Sequence, residues 1–389
     1  MSAKKETEKL LQKAGITING PNGFDIQIFN EKFYTRVLRD GSMALGESYM
    51  DGWWDAKNVD QFIYKILSAS LGKKFTLSLS TLLTLLKFKL FNVGSFKKAF
   101  EVGEKHYDVG NDLYKAMLDK RMVYTCAYWT DDAQNLDEAQ EAKLDLVCRK
   151  LKLKKGDRVL DIGCGWGSFL KFAAKKYGIE GVGVTVSKEQ VKLAKELCRG
   201  LPLEIKLMDY RALTGRFDYI VSLGMFEHVG TKNYATYFKK ARQLLKEDGL
   251  FLLHTIGMGN GTMPMDPWIE KYIFPNGMLP SMAQIGKCVE GLFIVEDWHN
   301  FGADYDKTLM AWFENFDKAW SRSQSDRGSS YADKSASGPA LKSQYSEKFY
   351  RMWKYYLLSC AAGFRARNIQ LWQIVLSKNG VKGGYQSLR

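Results

Sequence analysis

Asp161, Gly163, Gly165 and Gly167 stand at every second position within RVLDIGCGWGSFL, residues 158–170. Glycines at that spacing give a backbone that turns tightly and lets a ligand come close without meeting a side chain. Arg158–Ile162 reads as a short buried strand and Ser168–Tyr177 as a helix. Strand, glycine turn and helix in that order put the turn at the carboxyl end of a parallel strand, where the free N–H groups of the helix start face the ligand. The chemistry implied is nucleoside-cofactor binding. A dinucleotide does not fit, because the spacing is D-x-G-x-G-x-G instead of G-x-G-x-x-G. The second strand, EGVGVTV at residues 180–186, also offers Thr185 where an acid would hold a ribose.

The D-x-G-x-G-x-G form resembles motif I of the class I S-adenosylmethionine-dependent methyltransferases. The elements around it agree. A helix is expected at Leu136–Lys150, and one at residues 188–199 with Ser187 and Gln190 as its capping box. Further strands are expected at residues 203–208, 217–223, 250–255, 291–298 and 369–377, with a helix at 233–245. Seven strands with helices between them predict an α/β, Rossmann-like, doubly wound sheet. Residues 101–389 then form the catalytic domain, and residues 1–100 a smaller, mostly helical one. In that smaller domain a helix at residues 6–13 ends at Gly15, and residues 33–52 carry helical patches broken by glycines.

A formal charge of +14 and a pI near 9.2 imply an anionic partner, either nucleic acid or an anionic membrane surface. Six cysteines without a C-x-x-C pair make neither a disulfide framework nor a zinc site, and read as reduced thiols in the cytoplasm. No metal is expected. The N-terminus lacks the apolar core of a signal peptide, and no window reaches the roughly 20 apolar residues of a spanning helix. Between Asp60 and Glu101 there is no acid, while Lys65, Lys73, Lys74, Lys87, Lys89, Lys97 and Lys98 surround the apolar run TLSLSTLLTLLKFKLF, residues 76–91. That pattern suits a helix lying on a membrane, or equally an ordinary core helix with solvated lysines. Residues 321–343 are serine-rich and read as a surface loop.

The fourth strand is followed by GMFEHVG, not by the [DN]-P-P-[YFW] of enzymes that methylate base amino groups, and no RNA-binding module is evident. The segments HYDVGNDLY, YTCAYW, LDIGCGWG, GVTVSKEQ, MFEHVG, LLHTIG, PWIEKYIFPNG, EDWHNFGADYDKTLMAW and FRARNIQLWQ, in that order, resemble the cyclopropane-fatty-acyl-phospholipid synthases. GESYMDGWWD resembles the N-terminal part of the longer bacterial members. The resemblance implies methyl transfer from S-adenosylmethionine to the cis double bond of a phospholipid acyl chain, then loss of a proton from that methyl and ring closure. A methyl-branched, methoxylated or hydroxylated product is the neighbouring outcome. The alternatives outside that chemistry are a small-molecule amine N-methyltransferase, an RNA methyltransferase and a non-catalytic lipid-binding protein.

In that family the proton acceptor is a bicarbonate ion held by Cys, Glu, His, Tyr and one backbone N–H. Motif for motif these are Cys126, Glu227, His254, Tyr305 and the N–H of Ile256. Taken without the resemblance, His254 has an alternative reading as a core histidine and Cys126 as a packed thiol, and the position of His254 at the sheet's ligand-binding edge favours the site. Cys360 matches a thiol once considered the family's nucleophile and completes the catalytic candidates; since methyl transfer needs no covalent enzyme intermediate, it is read as lining the acyl channel. His228 and His299 are read as structural. For the cofactor, resemblance and position together indicate Gly163, Cys164 and Gly165 at the turn. Thr185 and Gln190 lie towards the ribose, Asp209 and Tyr210 at the adenine, and Tyr124 and Thr125 over the methionine end. The implied setting is peripheral, on the inner face of the cell membrane. The N-terminal domain is expected to dock on the phospholipid bilayer, no nucleic acid is expected, and a homodimer is the assembly that members of the family often adopt, which no residue here tests. Two departures from the family's pattern touch no motif: a long serine-rich loop and a short N-terminal tail.

Overall fold

The strand expected at the glycine turn forms as Arg158–Ile162 and lies third in a seven-stranded sheet. The computed structural model describes residues 2–69, 110–259, 265–321 and 341–389. The apolar run 76–91, six of its seven lysines and most of the serine-rich stretch lie outside the described residues.

The N-terminal segment contains α1 (Ala3–Lys13), β1 (Gln27–Ile28), α2 (Lys32–Met50), β2 (Trp54–Asp55) and α3 (Val59–Ser68), with β1 and β2 paired antiparallel. α2 bends at Gly41, whose φ of 59° takes it out of helical conformation. α4 (Asn111–Met117) and α5 (Leu136–Lys150) lead into β3 (Arg158–Ile162). Then come α6 (Ser168–Tyr177), β4 (Glu180–Thr185), α7 (Lys188–Leu197), β5 (Leu203–Leu207), β6 (Phe217–Leu223), α8 (Tyr234–Leu244) and β7 (Leu245–Met258). α9 (Pro267–Tyr272), α10 (Met282–Val289), β8 (Ile294–Asn300), α11 (Ala303–Ser321), α12 (Glu347–Arg365) and β9 (Ile369–Ser377) complete the described elements.

The strand order is β5-β4-β3-β6-β7-β9-β8, the α/β sheet of a class I methyltransferase. β9 alone runs antiparallel to its neighbours, so the sheet is not the all-parallel doubly wound form. α12 delivers the chain to the carboxyl ends of the parallel strands, where Ile369 pairs with Met258, and β9 must run back.

Two strand boundaries and one cap depart most from the sequence reading. β7 extends beyond 250–255 because Leu245 pairs with Phe217 and Met258 with Ile369. β8 starts at Ile294, not Gly291, because Gly291 turns with φ of 69° and the N–H groups of Leu292 and Phe293 close the end of α10 on the Val289 carbonyl. The capping box at Ser187 is half made: Ser187 Oγ accepts the Gln190 N–H at 3.3 Å, while the Gln190 side chain accepts from Thr185 Oγ1 at 2.7 Å. A complete box forms at Ser281 and Gln284, where none was expected.

Side chains alternate across the sheet and divide its core in two. Leu160, Ile162, Phe251 and Leu253 pack with α8 and α10, and Val159, Val221, Leu252 and Val375 with α5 and α6. By the same alternation Asp161 and His254 belong to the α5 face.

Residues 3–66 share one buried cluster with α11 and α12, including Trp54, Phe62, Trp268, Trp312 and Leu357. Arg351 spans the contact, donating to the Tyr49 and Trp54 carbonyls and to Asp55. Arg365 bridges Asp60 at 2.6 Å and Asp306 at 2.9 Å. Gly46 admits the Trp268 indole, which a Cβ there would meet at 2.5 Å. No described helix is long and apolar enough to cross a membrane.

Candidate active site

All nine residues expected at the cofactor line one cavity over the carboxyl ends of β3, β4 and β6: Tyr124, Thr125, Gly163, Cys164, Gly165, Thr185, Gln190, Asp209 and Tyr210. Gly163 and Gly165 have φ of 87° and 53°, the left-handed region that favours glycine. A Cβ on Gly165 would meet nothing within 4 Å, so the backbone there is open to a ligand. Thr185 Oγ1 donates to Gln190, and Asp209 holds Arg211 through its backbone N–H, Nε and Nη2. Asp161 is buried with Oδ1 unpartnered among the described residues, and burial lifts its carboxyl to about 7 despite the nearby Lys143. A glycine cradle with buried acidic and basic side chains suits a nucleoside that carries an amino-acid tail.

Cys126, Glu227, His254, Ile256, Tyr305 and Cys360 are not part of that lining. Glu227, in the turn after β6, is buried, and its Oε1 accepts the Ile256 N–H at 2.6 Å. The N–H assigned to bicarbonate is thus held by Glu227 in this structure. Glu227 Oε2 has no hydrogen-bond partner among the described residues. Burial pushes the carboxyl up to about 7, although the N–H groups of Ile256 and Glu227 itself and the Thr255 hydroxyl favour the anion. His254 is level with Leu223 and with Gln373 in the neighbouring strands. Its Nδ1 meets the Gln373 amide at 3.4 Å, and its Nε2 has no partner among the described residues. Burial, with Lys143 and Lys150 nearby, holds it well below the usual histidine range, so the ring is neutral.

Cys126 is fully buried and donates to the Ala127 carbonyl at 3.1 Å. Burial raises its thiol well above the ordinary value, which rules out a resting thiolate. Thr308 on α11 is the hub of this segment: its hydroxyl accepts from the Ala127 N–H and Trp129 Nε1, both at 3.1 Å, and donates to the Asp304 carbonyl at 2.7 Å. One turn earlier on α11, Tyr305 stacks on Phe364 with centroids 4.5 Å apart and meets Trp312 edge-on at 6.0 Å. Trp312 packs on Tyr124 at 5.1 Å, and the Tyr124 and Tyr356 hydroxyls lie 2.8 Å apart. Tyr356, Cys360 and Phe364 follow at i, i+4 and i+8 on α12 and therefore share a face. Cys360 sits within this aromatic wall, its thiol lifted to about 12 by burial. The wall thus joins the cofactor cavity, through Tyr124, to two of the catalytic candidates, Tyr305 and Cys360.

Sequence reasoning missed Lys143 and Thr308. Lys143 is fully buried, lines the cavity and donates to Thr125 Oγ1 at 2.7 Å. Its signal was present: Lys143 and Lys150, seven apart among Ala139, Leu146 and Val147, fall on the apolar side of α5. Thr308 gave none.

Sheet order, glycine turn and cavity define a class I S-adenosylmethionine-dependent methyltransferase. Within that class the chain belongs to the mycolic acid cyclopropane synthetase family, which matches residues 95–374. It is 52% identical over 381 residues to the cyclopropane-fatty-acyl-phospholipid synthase of Escherichia coli, covering 98% of this chain and 94% of that protein. Among solved structures it resembles the cyclopropane synthase MmaA2 of Mycobacterium tuberculosis, with a TM-score of 0.63 at 30% identity over 72% of this chain and 98% of that one. The mycolic acid cyclopropane synthase CmaA1 complexed with SAH and CTAB gives a TM-score of 0.62 at 32% identity, again over 72% and 98%.

Proposed function

We propose that the chain cyclopropanates the cis double bond of an unsaturated phospholipid acyl chain, with a bicarbonate ion held at Glu227 and His254 as the base. The relative that shares 52% identity over nearly all of both chains carries that activity in its name. One observation carries the bicarbonate assignment: Glu227 Oε2 and His254 Nε2 are both buried without a partner among the described residues. A buried polar atom left unpartnered by the protein calls for an explanation, and two of them on catalytic candidates support an ion that completes their hydrogen bonding.

S-adenosylmethionine in the cavity supplies an electrophilic methyl group. The alkene's π electrons form the new bond to that carbon, leaving a cation on the neighbouring carbon of the acyl chain. Removal of a proton from the added methyl then lets its C–H electrons close the ring. An alkene is a weak nucleophile, so the protein's part is positioning and a wall that tolerates the cation. Tyr305, Trp312, Phe364 and Tyr356 offer aromatic faces that attract positive charge and carry no lone pair basic enough to capture it. The carboxylate of Glu227 and the neutral ring of His254 orient the base and receive its proton. The neutral thiol of Cys126 becomes a donor to the ion by turning from the Ala127 carbonyl, and Cys360 borders the acyl chain.

Drawing about ten methylenes into water costs roughly 8 kcal/mol at ~0.8 kcal/mol each, so the acyl chain must pass from bilayer to protein. The lysines at 73–98 serve that contact, each worth on the order of 1 kcal/mol at an anionic leaflet, whereas Lys65 is turned onto its own segment, with Nζ 3.5 Å from the Ala14 carbonyl and 4.3 Å from the centre of the Phe24 ring. On this reading the protein works peripherally at the inner membrane face, as a homodimer by analogy with the family. Deleting residues 1–100 is a poor test, since it strips Trp54 and Phe62 from the shared core. Replacing Lys73, Lys74, Lys87, Lys89, Lys97 and Lys98 by glutamine is cleaner: co-sedimentation with anionic vesicles should fall at least tenfold, and unchanged binding refutes the docking role.

The bicarbonate assignment is tested with Glu227→Gln, which keeps the shape and removes the anion. Turnover should fall about 100-fold or more, the usual contribution of a general base. Affinity for S-adenosylhomocysteine, followed by calorimetry, should change less than about threefold. Full activity removes Glu227 from the role.

A further inference from the structure

The cavity contains two buried charges of opposite sign whose hydrogen bonding the protein leaves incomplete. Lys143 reaches it from α5, carries three N–H donors and, among the described residues, spends one of them, on Thr125 Oγ1 at 2.7 Å. Asp161 reaches it from the end of β3, with Oδ1 unpartnered among the described residues. The two do not form an ion pair within 4.0 Å. A buried ammonium with two unspent donors is costly unless something anionic completes it. Of the other polar groups of the lining, Thr185 with Gln190 and Asp209 with Tyr210 answer a nucleoside, and the second cation there, Arg211, is held by Asp209 through Nε and Nη2 at 2.8 and 2.6 Å. They offer nothing to the carboxylate at the far end of the same molecule.

We propose that Lys143 binds the α-carboxylate of the methyl donor, with the donor's α-ammonium on the Asp161 side. This rests on the reading of the cavity as the donor site. The consequence reaches the chemistry, because Lys143 also fixes the Thr125 hydroxyl. Thr125 lies between Tyr124, which abuts the aromatic wall, and Cys126. A donor gripped through Lys143 is therefore registered against the segment that carries both. The groups facing the ammonium are Asp119, Cys126 and Asp161, and His254 feels its charge. Asp119 is not available as its counter-ion, since its carboxylate accepts the Val123 and Arg121 N–H groups at 2.8 and 3.0 Å.

Calorimetric titration of the full chain with three ligands decides the matter: S-adenosylhomocysteine, its decarboxylated analogue S-adenosyl-3-thiopropylamine, and 5′-methylthioadenosine, which lacks the amino-acid end. A charged hydrogen bond of this kind is worth about 10- to 100-fold in affinity. The wild-type protein should prefer S-adenosylhomocysteine to the decarboxylated analogue by that factor. Lys143→Met should abolish the preference and leave 5′-methylthioadenosine binding unchanged, and Lys143→Arg should restore part of it. Equal weakening of all three ligands in Lys143→Met overturns the proposal and makes Lys143 a packing residue. No preference in the wild-type protein overturns it too, and that measurement holds even if the variant does not fold. Failure of the wild-type protein to bind any of the three refutes the reading of the cavity itself.

Discussion

Lys143 and Lys150 project from the same side of α5, two turns apart, and neither reaches solvent. Lys150 is enclosed by its own protein: Nζ meets His299 Nδ1 at 3.1 Å and Asp297 at 3.4 Å. Asp297 is in turn held by Arg389 at 2.8 and 2.9 Å and by Ser387 at 2.9 Å, and Tyr385 donates to the Lys150 carbonyl. Lys143 has one hydroxyl and a cavity. The same side chain on one helix is finished by the fold at one end and left for a ligand at the other. Burial alone thus does not separate a structural charge from a functional one, whereas the count of partners does. His299 belongs to the finished end, where burial and Lys150 hold it down to about 3, which agrees with its structural reading.

The comparison breaks most visibly at Asp297. Asp297→Ala removes the carboxylate that compensates Lys150 and should cost about 3–5 kcal/mol in urea unfolding, the usual penalty for an orphaned buried charge. Lys143→Met deprives no carboxylate of an ion-pair partner and should change stability by no more than about 1 kcal/mol while it alters ligand binding. Equal losses in the two variants would erase the distinction.

A smaller effect sharpens it. Burial lowers both lysines from the ordinary 10.5 to about 8, against Asp297 at Lys150 and Asp119 at Lys143. Below pH 8 folded and unfolded chains both carry the proton, and the cost of burying it is fully present. Between pH 8 and 10.5 the unfolded chain keeps protons that the folded chain has released. Stability contributed by each lysine therefore rises with pH, by up to about 1.4 kcal/mol per unit. The difference in unfolding free energy between wild type and Lys150→Met cancels the other titrating groups. It should move in favour of wild type from pH 7.5 to 9.5, and a flat difference would show that Lys150 is not desolvated.

Where local pattern and tertiary role coincide, the sequence was sufficient. β3, α6, β6 and β9 begin and end as their residues indicate, because each is bounded by a glycine turn, a cap or a change of apolar period. The nine residues expected at the cofactor, drawn from resemblance and position together, line one cavity because most of them sit at or just beyond strand ends. What was not legible depends on pairing across the chain. The direction of β9 is set by where α12 delivers it, the length of β7 by two partners, and the place of Lys143 by a helix face on which a lysine ordinarily reads as solvated. Thr308 works through three hydrogen bonds to residues distant in the sequence or a turn away, and no local pattern announces that.

The cavity and the aromatic wall together are proposed to deliver a methyl carbon into a phospholipid acyl chain as part of a ring. The most direct test is mass spectrometry of phospholipid vesicles with cis-monounsaturated chains, incubated with the protein, bicarbonate and methyl-labelled S-adenosylmethionine. Labelled acyl chains heavier by one CH2, with the double bond gone, are the expected result. Labelled chains that keep the double bond or add water would contradict ring closure, and no label in lipid would contradict the claim outright.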